Sequence, residues 1–274
     1  AFAKELGMPM RFRSVDVDST WSRTAGLYLA SAHVNISIGN RRESGMRSTD
    51  QDDMLLVDFI PQDEALRIRA RELEEDEIVA LYLNNRAAEM LVQERLNDAY
   101  WWARAAVNKR PGMVPALNTL AVIYERHGDR ALAEQTYRAA LERGPENVMV
   151  MRSLQPVLAA QGKQGEAQAL ARRIASIDPF PPYHHFDQGM AALRAGQYDR
   201  ARELFERELK RAPYNDEFRF WLGVSPLKLG GISHARGQIA KAVDTSTRQE
   251  MRQVYSAKLA HLRRVGAATG TLIR

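Results

Sequence analysis

The chain has no cysteine among its 274 residues. Disulfides, thiolate metal sites and a cysteine nucleophile are therefore excluded for these residues. It also lacks any apolar run near the roughly 18 residues that a membrane-crossing helix needs, so no membrane span is expected. Neither charge dominates: 39 Lys and Arg stand against 34 Asp and Glu, a formal net charge of +5. The basic residues are scattered beside acidic ones and are not interleaved with aromatics on one face, as nucleic-acid binding would require. No nucleic-acid partner is expected. The histidines (His33, His127, His184, His185, His234 and His261) form no ligand pattern, because the adjacent pair His184–His185 does not face a common point on a helix. No metal and no cofactor are expected. A hydrophobic share of 45% and a charged share of 27% describe an ordinary soluble protein, long enough for two domains.

What the chain does have is a period. Ala99, Ala133, Ala167, Ala201 and Ala235 stand 34 residues apart. Pro111, Pro145, Pro179 and Pro213 follow the first four alanines by a fixed interval, and Gly128, Gly162, Gly196 and Gly230 precede the last four by another. Each residue type has a physical task in a two-helix unit. The glycine closes the first helix in the left-handed conformation that only glycine adopts cheaply. The alanine allows close approach of the second helix. The proline ends that helix, since it cannot donate the next backbone hydrogen bond. A single hairpin cannot bury its apolar face, so neighbours must stack.

A 34-residue helical hairpin resembles the tetratricopeptide repeat. The clearest copy holds Leu117, Leu120, Ala121, Tyr124, Gly128, Ala133, Tyr137, Ala140 and Pro145. The first copy has Glu94 where the turn glycine belongs, and the fifth has Thr247 in place of the closing proline and Pro226 inside its first helix, predicting a kink near Leu222. The resemblance implies a mainly α fold: a right-handed superhelix of about five helical hairpins (residues 80–113, 114–147, 148–181, 182–215 and 216–249). A capping helix over 249–265 should follow, and residues 266–274 read as a loose tail. Trp101, Trp102 and Trp221 are expected in the core or between repeats.

In that family the first helices line a concave groove that receives a protein or peptide. The resemblance places Asn84, Ala88, Asn118, Val122, Glu125 and Arg152 in a polar half of the groove. Tyr183, Phe186, Met190, Arg194 and Phe220 fall in an aromatic half, with Phe186 and Phe220 equally suited to the core. The lysine and asparagine set by which some members clamp a terminal carboxylate is absent. Nothing in the repeats fixes an oligomeric state.

Before the repeats the period changes to two, and a small strand-rich α+β segment is expected over 1–62. Met10–Val17 reads as a strand. His33–Ile38 alternates strictly, with Val34, Ile36 and Ile38 on one face. Met54–Phe59 has strand length, and the polar stretch Gly39–Asp53 reads as a loop. Ala1–Leu6 reads as the end of a longer helix, capped by Gly7 and stopped by Pro9. Residues 63–79 are densely charged and read as a linker or connecting helix.

The order helix, Leu6-Gly7-Met8-Pro9, strand, a strand opening on His33 and a strand ending at Asp58 resembles the later part of the transglutaminase-like cysteine hydrolase core. That resemblance implies His33 as general base and Asp58 as its orienting carboxylate, acting on a cysteine that would lie upstream of Ala1. Such a trio works because imidazole takes the thiol proton and the carboxylate fixes the imidazole tautomer. Without that cysteine this chain forms no acyl-enzyme. The leading expectation is a peptide-binding repeat scaffold with no catalytic activity of its own. The alternative is the C-terminal part of a cysteine peptidase or acyltransferase whose repeats present the substrate.

Overall fold

A computed structural model describes residues 5–24, 27–39, 55–57, 70–225, 227, 231–246 and 248–271; for 15–22, 27–33, 56, 70 and 266–271 it describes the backbone alone. The chain divides into two compact units. One comprises Ala1–Val17, Thr24–Leu27 and Ala32–Pro179, the other Asp18–Arg23, Tyr28–Ser31 and Phe180–Arg274.

The first unit opens with a sheet, to whose strands the second unit's Asp18–Arg23 and Tyr28–Ser31 also belong. Strands β1 (Met10–Thr24), β2 (Leu27–Ile38), β3 (Leu55–Val57) and β4 (Ala70–Leu73) run in the order β3-β2-β1-β4. Only two residues separate β1 from β2, so they form a hairpin, and the Gly39 N–H donates to the Pro9 carbonyl at its open end. Both strands are longer than the sequence pattern predicts. β2 pairs antiparallel with β3, Ile36 opposite Val57, and β1 with β4, Phe12 opposite Leu73. Strict alternation does hold in β2, but the polar residues Asn35 and Ser37 are the buried ones, and Val34, Ile36 and Ile38 are half-buried. β4 lies inside the stretch read as a charged linker. Strand pairing and the Arg71–Glu77 ion pair of 2.5 Å organise those charges.

Six helices follow in this unit: α1 (Glu75–Val92), α2 (Leu96–Lys109), α3 (Val114–His127), α4 (Arg130–Arg143), α5 (Val148–Ala160) and α6 (Gln164–Ile177). The second unit holds α7 (His184–Arg194), α8 (Tyr198–Arg211), α9 (Asp216–Val224), α10 (Ile232–Thr245) and α11 (Gln249–Thr271). Paired in sequence, these are the five hairpins and the terminal helix that the period predicts. The phase alanines are the tightest points, all between 0% and 4% exposed.

The turns show why glycine recurs. Gly128, Gly162 and Gly196 have φ of +97°, +78° and +74°. In each case the next residue's N–H reaches five residues back, as Asp129 to the Tyr124 carbonyl at 2.9 Å. Glu94 adopts φ of 59° in the first hairpin and Arg95 makes the same bond to Met90. The turn geometry persists without its glycine.

Pro156 lies within α5, which runs on to Ala160. The expected kink at Leu222 is instead a helix end: α9 stops at Val224. Gly230, Pro226 and Thr247 lie outside the described residues. The final helix extends past the expected boundary at Val265 to Thr271. It covers Ala235, Ile239 and Ala242 of α10 with Tyr255, Leu259 and Leu262. No helix among the described residues is long and apolar enough to cross a membrane.

Candidate functional site

Positions 84, 118, 152, 186 and 220 occupy one 34-residue phase on the first helix of each hairpin. In the first unit the phase is polar. Asn84 and Asn118 are half-buried, and the side-chain carbonyl oxygen of each is out of solvent without a hydrogen-bond partner. Arg152 is more committed: its Nη2 donates to the Asp178 carbonyl at 2.7 Å and sits 3.3 Å from the Asp178 carboxylate. One helical turn beyond Asn118, Val122 is half-buried. Glu125 accepts from the buried Tyr137 hydroxyl at 3.1 Å. Burial raises the Glu125 carboxyl above the usual range, against the opposing effect of that hydrogen bond. A cleft of about 540 Å³ lined by Arg138, Leu141, Leu154, Leu158, Glu166 and Leu170 also opens on this unit, and includes none of the phase positions.

In the second unit the same phase is aromatic, with Phe186 buried and Phe220 half-buried. Tyr183, expected in the groove, and Phe186, equally suited to groove or core, are 1% and 4% exposed. Phe186 packs on Phe205 and Phe218, with ring centroids 5.6 Å and 5.0 Å away. Gly189 makes room for this core, because a Cβ there would lie 2.7 Å from Phe205 Cε1. Met190 packs on the same cluster. Arg194 is exposed and donates to the Met190 carbonyl at 3.2 Å. Phe220 is half-buried and stacks on Tyr255 at 4.6 Å.

Tyr183 holds an unusual place. It is the residue before α7 and has a left-handed backbone, φ 68°. A buried carboxylate from the neighbouring helix fixes it: Glu208 accepts from the Tyr183 N–H at 3.2 Å and the His185 N–H at 2.9 Å. Arg211 closes the corner by donating to the Phe180 carbonyl at 2.7 Å. A carboxylate on two free N–H groups at a helix start does the work of a cap. The Tyr183 hydroxyl then donates to Glu217 Oε2 at 3.2 Å and accepts from the Arg23 N–H at 3.1 Å. Burial first, and the Glu217 charge second, push the phenol well up. Burial likewise raises the Glu217 carboxyl.

His33 lies in the backbone of β2, its side chain outside the described residues; Asp58 lies outside them altogether. Gly7 has the left-handed φ of +67° expected of a turn glycine. Among the described residues no group of histidine, aspartate and glutamate is arranged to hold a metal ion. His185 is buried, and burial pushes its imidazole below the ordinary value. Trp101, expected in packing, is 61% exposed with the Arg104 guanidinium 5.4 Å from its ring. Trp102 and Trp221 are half-buried.

Residues 118–182 and 186–249 match the model of the tetratricopeptide repeat family. Together the two stretches span just under half of the chain. No curated relative matches the chain. Solved structures similar to it include YrrB, described as a TPR protein with an unusual peptide-binding site. It is 20% identical, with a TM-score of 0.36 over 66% of this chain and 92% of that one. PilF of Pseudomonas aeruginosa is 18% identical, with a TM-score of 0.38 over 73% and 92%. A TPR protein of Thermus thermophilus is 19% identical, with a TM-score of 0.36 over 66% and 99%. These likenesses bear on the fold alone.

Proposed function

We propose that this protein is a peptide-binding scaffold that takes an extended segment of a partner protein along the first helices of its repeats. The observation that carries this reading is the pair Asn84 and Asn118. Both stand at one phase of the repeat, and both have an amide oxygen without a donor in the protein. Buried polar groups are nearly always partnered. An amide offers a donor and an acceptor together, the complement of an extended backbone, which brings one N–H and one C=O per residue. Exposed Glu94, Arg95 and Gln93 at the neighbouring turn leave the rim polar.

Peptides selected from a displayed library on the full chain provide the test. Asn84→Ala with Asn118→Ala should weaken the selected peptides at least tenfold without loss of helicity, as fluorescence anisotropy and circular dichroism would read. Unchanged affinity would place the site elsewhere.

The transglutaminase-like reading has one observation in its favour. β2 buries its polar residues Asn35 and Ser37 rather than its aliphatic ones, and a period of two leads back from these to position 33. A sheet that buries polar side chains suits a site better than a structural core. In that reading His33 and Asp58 serve a thiolate supplied from outside these residues.

A further inference from the structure

The second unit contains a cationic side chain seated in a socket of carboxylates and phenols. Arg23, near the end of β1 and just before the hairpin loop, places Nη1 2.9 Å from Asp187 Oδ2 and Nη2 2.9 Å from Asp187 Oδ1. Its guanidinium carbon lies 4.6 Å from the centre of the Tyr183 ring. Its backbone N–H donates to the Tyr183 hydroxyl. Side chain and backbone of one extended residue are thus read together. The fork on the carboxylate gives geometric specificity, the ring face attracts the cation, and the hydroxyl fixes the strand.

Two further features separate this from an incidental surface pair. Tyr183 is held for the contact by its left-handed backbone and by the bond of its N–H to Glu208. Glu217, which accepts from the Tyr183 hydroxyl, adds a further carboxylate whose charge is felt by Arg23. Asp216 Oδ2 and the Tyr255 hydroxyl are out of solvent without a hydrogen-bond partner, and Tyr255 feels the charges of both Asp216 and Glu217. Meanwhile the Arg23 and Asp187 side chains keep 37% and 53% of their exposure. An ion pair so open to water contributes little to stability, and a segment on the same chain competes for the site at an effective concentration on the order of mM.

We propose that this socket is a binding site for an arginine carried on an extended segment of a partner protein, and that the tip of the β1–β2 hairpin fills it in cis as a displaceable stand-in. The site differs from the Asn84–Asn118 row and rests on the scaffold reading only in taking an extended segment as ligand. Arginine is preferred to lysine because a planar fork meets both oxygens of Asp187 while an ammonium meets one.

The test uses the full chain and a fluorescein-labelled peptide spanning residues 18–24, together with its counterpart bearing alanine for the arginine. Arg23→Ala should bind the arginine peptide at least tenfold more tightly than the unaltered protein does, because the internal competitor is gone. The alanine peptide should bind neither, and adding Asp187→Asn to Arg23→Ala should abolish the gain. Equal affinity for the unaltered protein and Arg23→Ala, no binding to Arg23→Ala, or binding that survives Asp187→Asn would each overturn the proposal. Should Arg23→Ala lose helicity, Arg23→Lys keeps the charge without the fork and should give an intermediate gain; no gain there counts against the proposal equally. Library-selected peptides that still bind Arg23→Ala while the arginine peptide does not would sink this site and leave the scaffold reading standing.

Discussion

A single residue carries the clearest departure from the repeat pattern. Glu94 holds a φ of 59° where the other described turns use glycine. A side chain in that conformation costs about 1–2 kcal/mol, and glycine removes this while adding freedom to the unfolded chain. Glu94→Gly should therefore stabilise the first hairpin by about 0.5–1 kcal/mol, raising the urea midpoint; an unchanged or lower midpoint would show that the strain is relieved elsewhere. Glu94 is legible as an exception because the period isolates the turn position. Trp101 is not legible in the same way. It sits one residue from half-buried Trp102, and on a helix one residue is a rotation of about 100°, so composition alone cannot say which of the two faces water. Tyr183 escapes for another reason: its burial follows from a left-handed backbone fixed by Glu208, 25 residues away, and no local pattern announces that.

Among elements, the hairpins are readable from sequence and the strands only partly so. The alanine–glycine–proline phase is a local requirement repeated along the chain, and its consequences are local. β1 extends well past Val17 because hydrogen bonding to neighbouring strands, not apolar alternation, sustains it through Asp18 and Thr20. β4 arises within a charged run for the same reason. Contacts between hairpins depend on charge as well as packing. Glu134 of α4 accepts from Arg138 one turn on at 2.7 Å and from Lys163, at the start of α6, at 2.6 Å on both oxygens. The Lys163 bond first, and Arg138 second, hold its carboxyl below the ordinary value of 4.5. A lowered folded value stabilises above the unfolded value, and that contribution is lost as pH falls through the folded one. Glu134→Gln should cost about 1–3 kcal/mol at pH 7 and progressively less below pH 4.5. Urea titrations at pH 7 and pH 3 that show the same difference would argue against this pairing.

For the molecule as a whole, a repeat array is stable unit by unit, each hairpin depending on its neighbours. α11 is the last neighbour, covering Ile239 with Tyr255 and Leu259. Deleting residues 249–274 should expose amides of α9 and α10 to hydrogen exchange at least tenfold faster while α3 and α4 keep their protection. Uniform acceleration across all helices would mean that the two units unfold together. The repeat architecture is legible in the amino-acid sequence because its period recurs five times. The place taken by the hairpin tip is not, since it depends on a pairing across most of the chain and not on any motif.

That pairing also sets an order in time. Arg23 and Asp187 are 164 residues apart, and a ribosome adding about 5–20 residues per second needs about 8–30 s to reach one from the other. The hairpins of the first unit close over short distances and can form as they emerge. The clasp on Tyr183 and Asp187 cannot form until its second half has been made. Throughout synthesis, then, the tip of the β1–β2 hairpin is an arginine-bearing strand still waiting for its own socket.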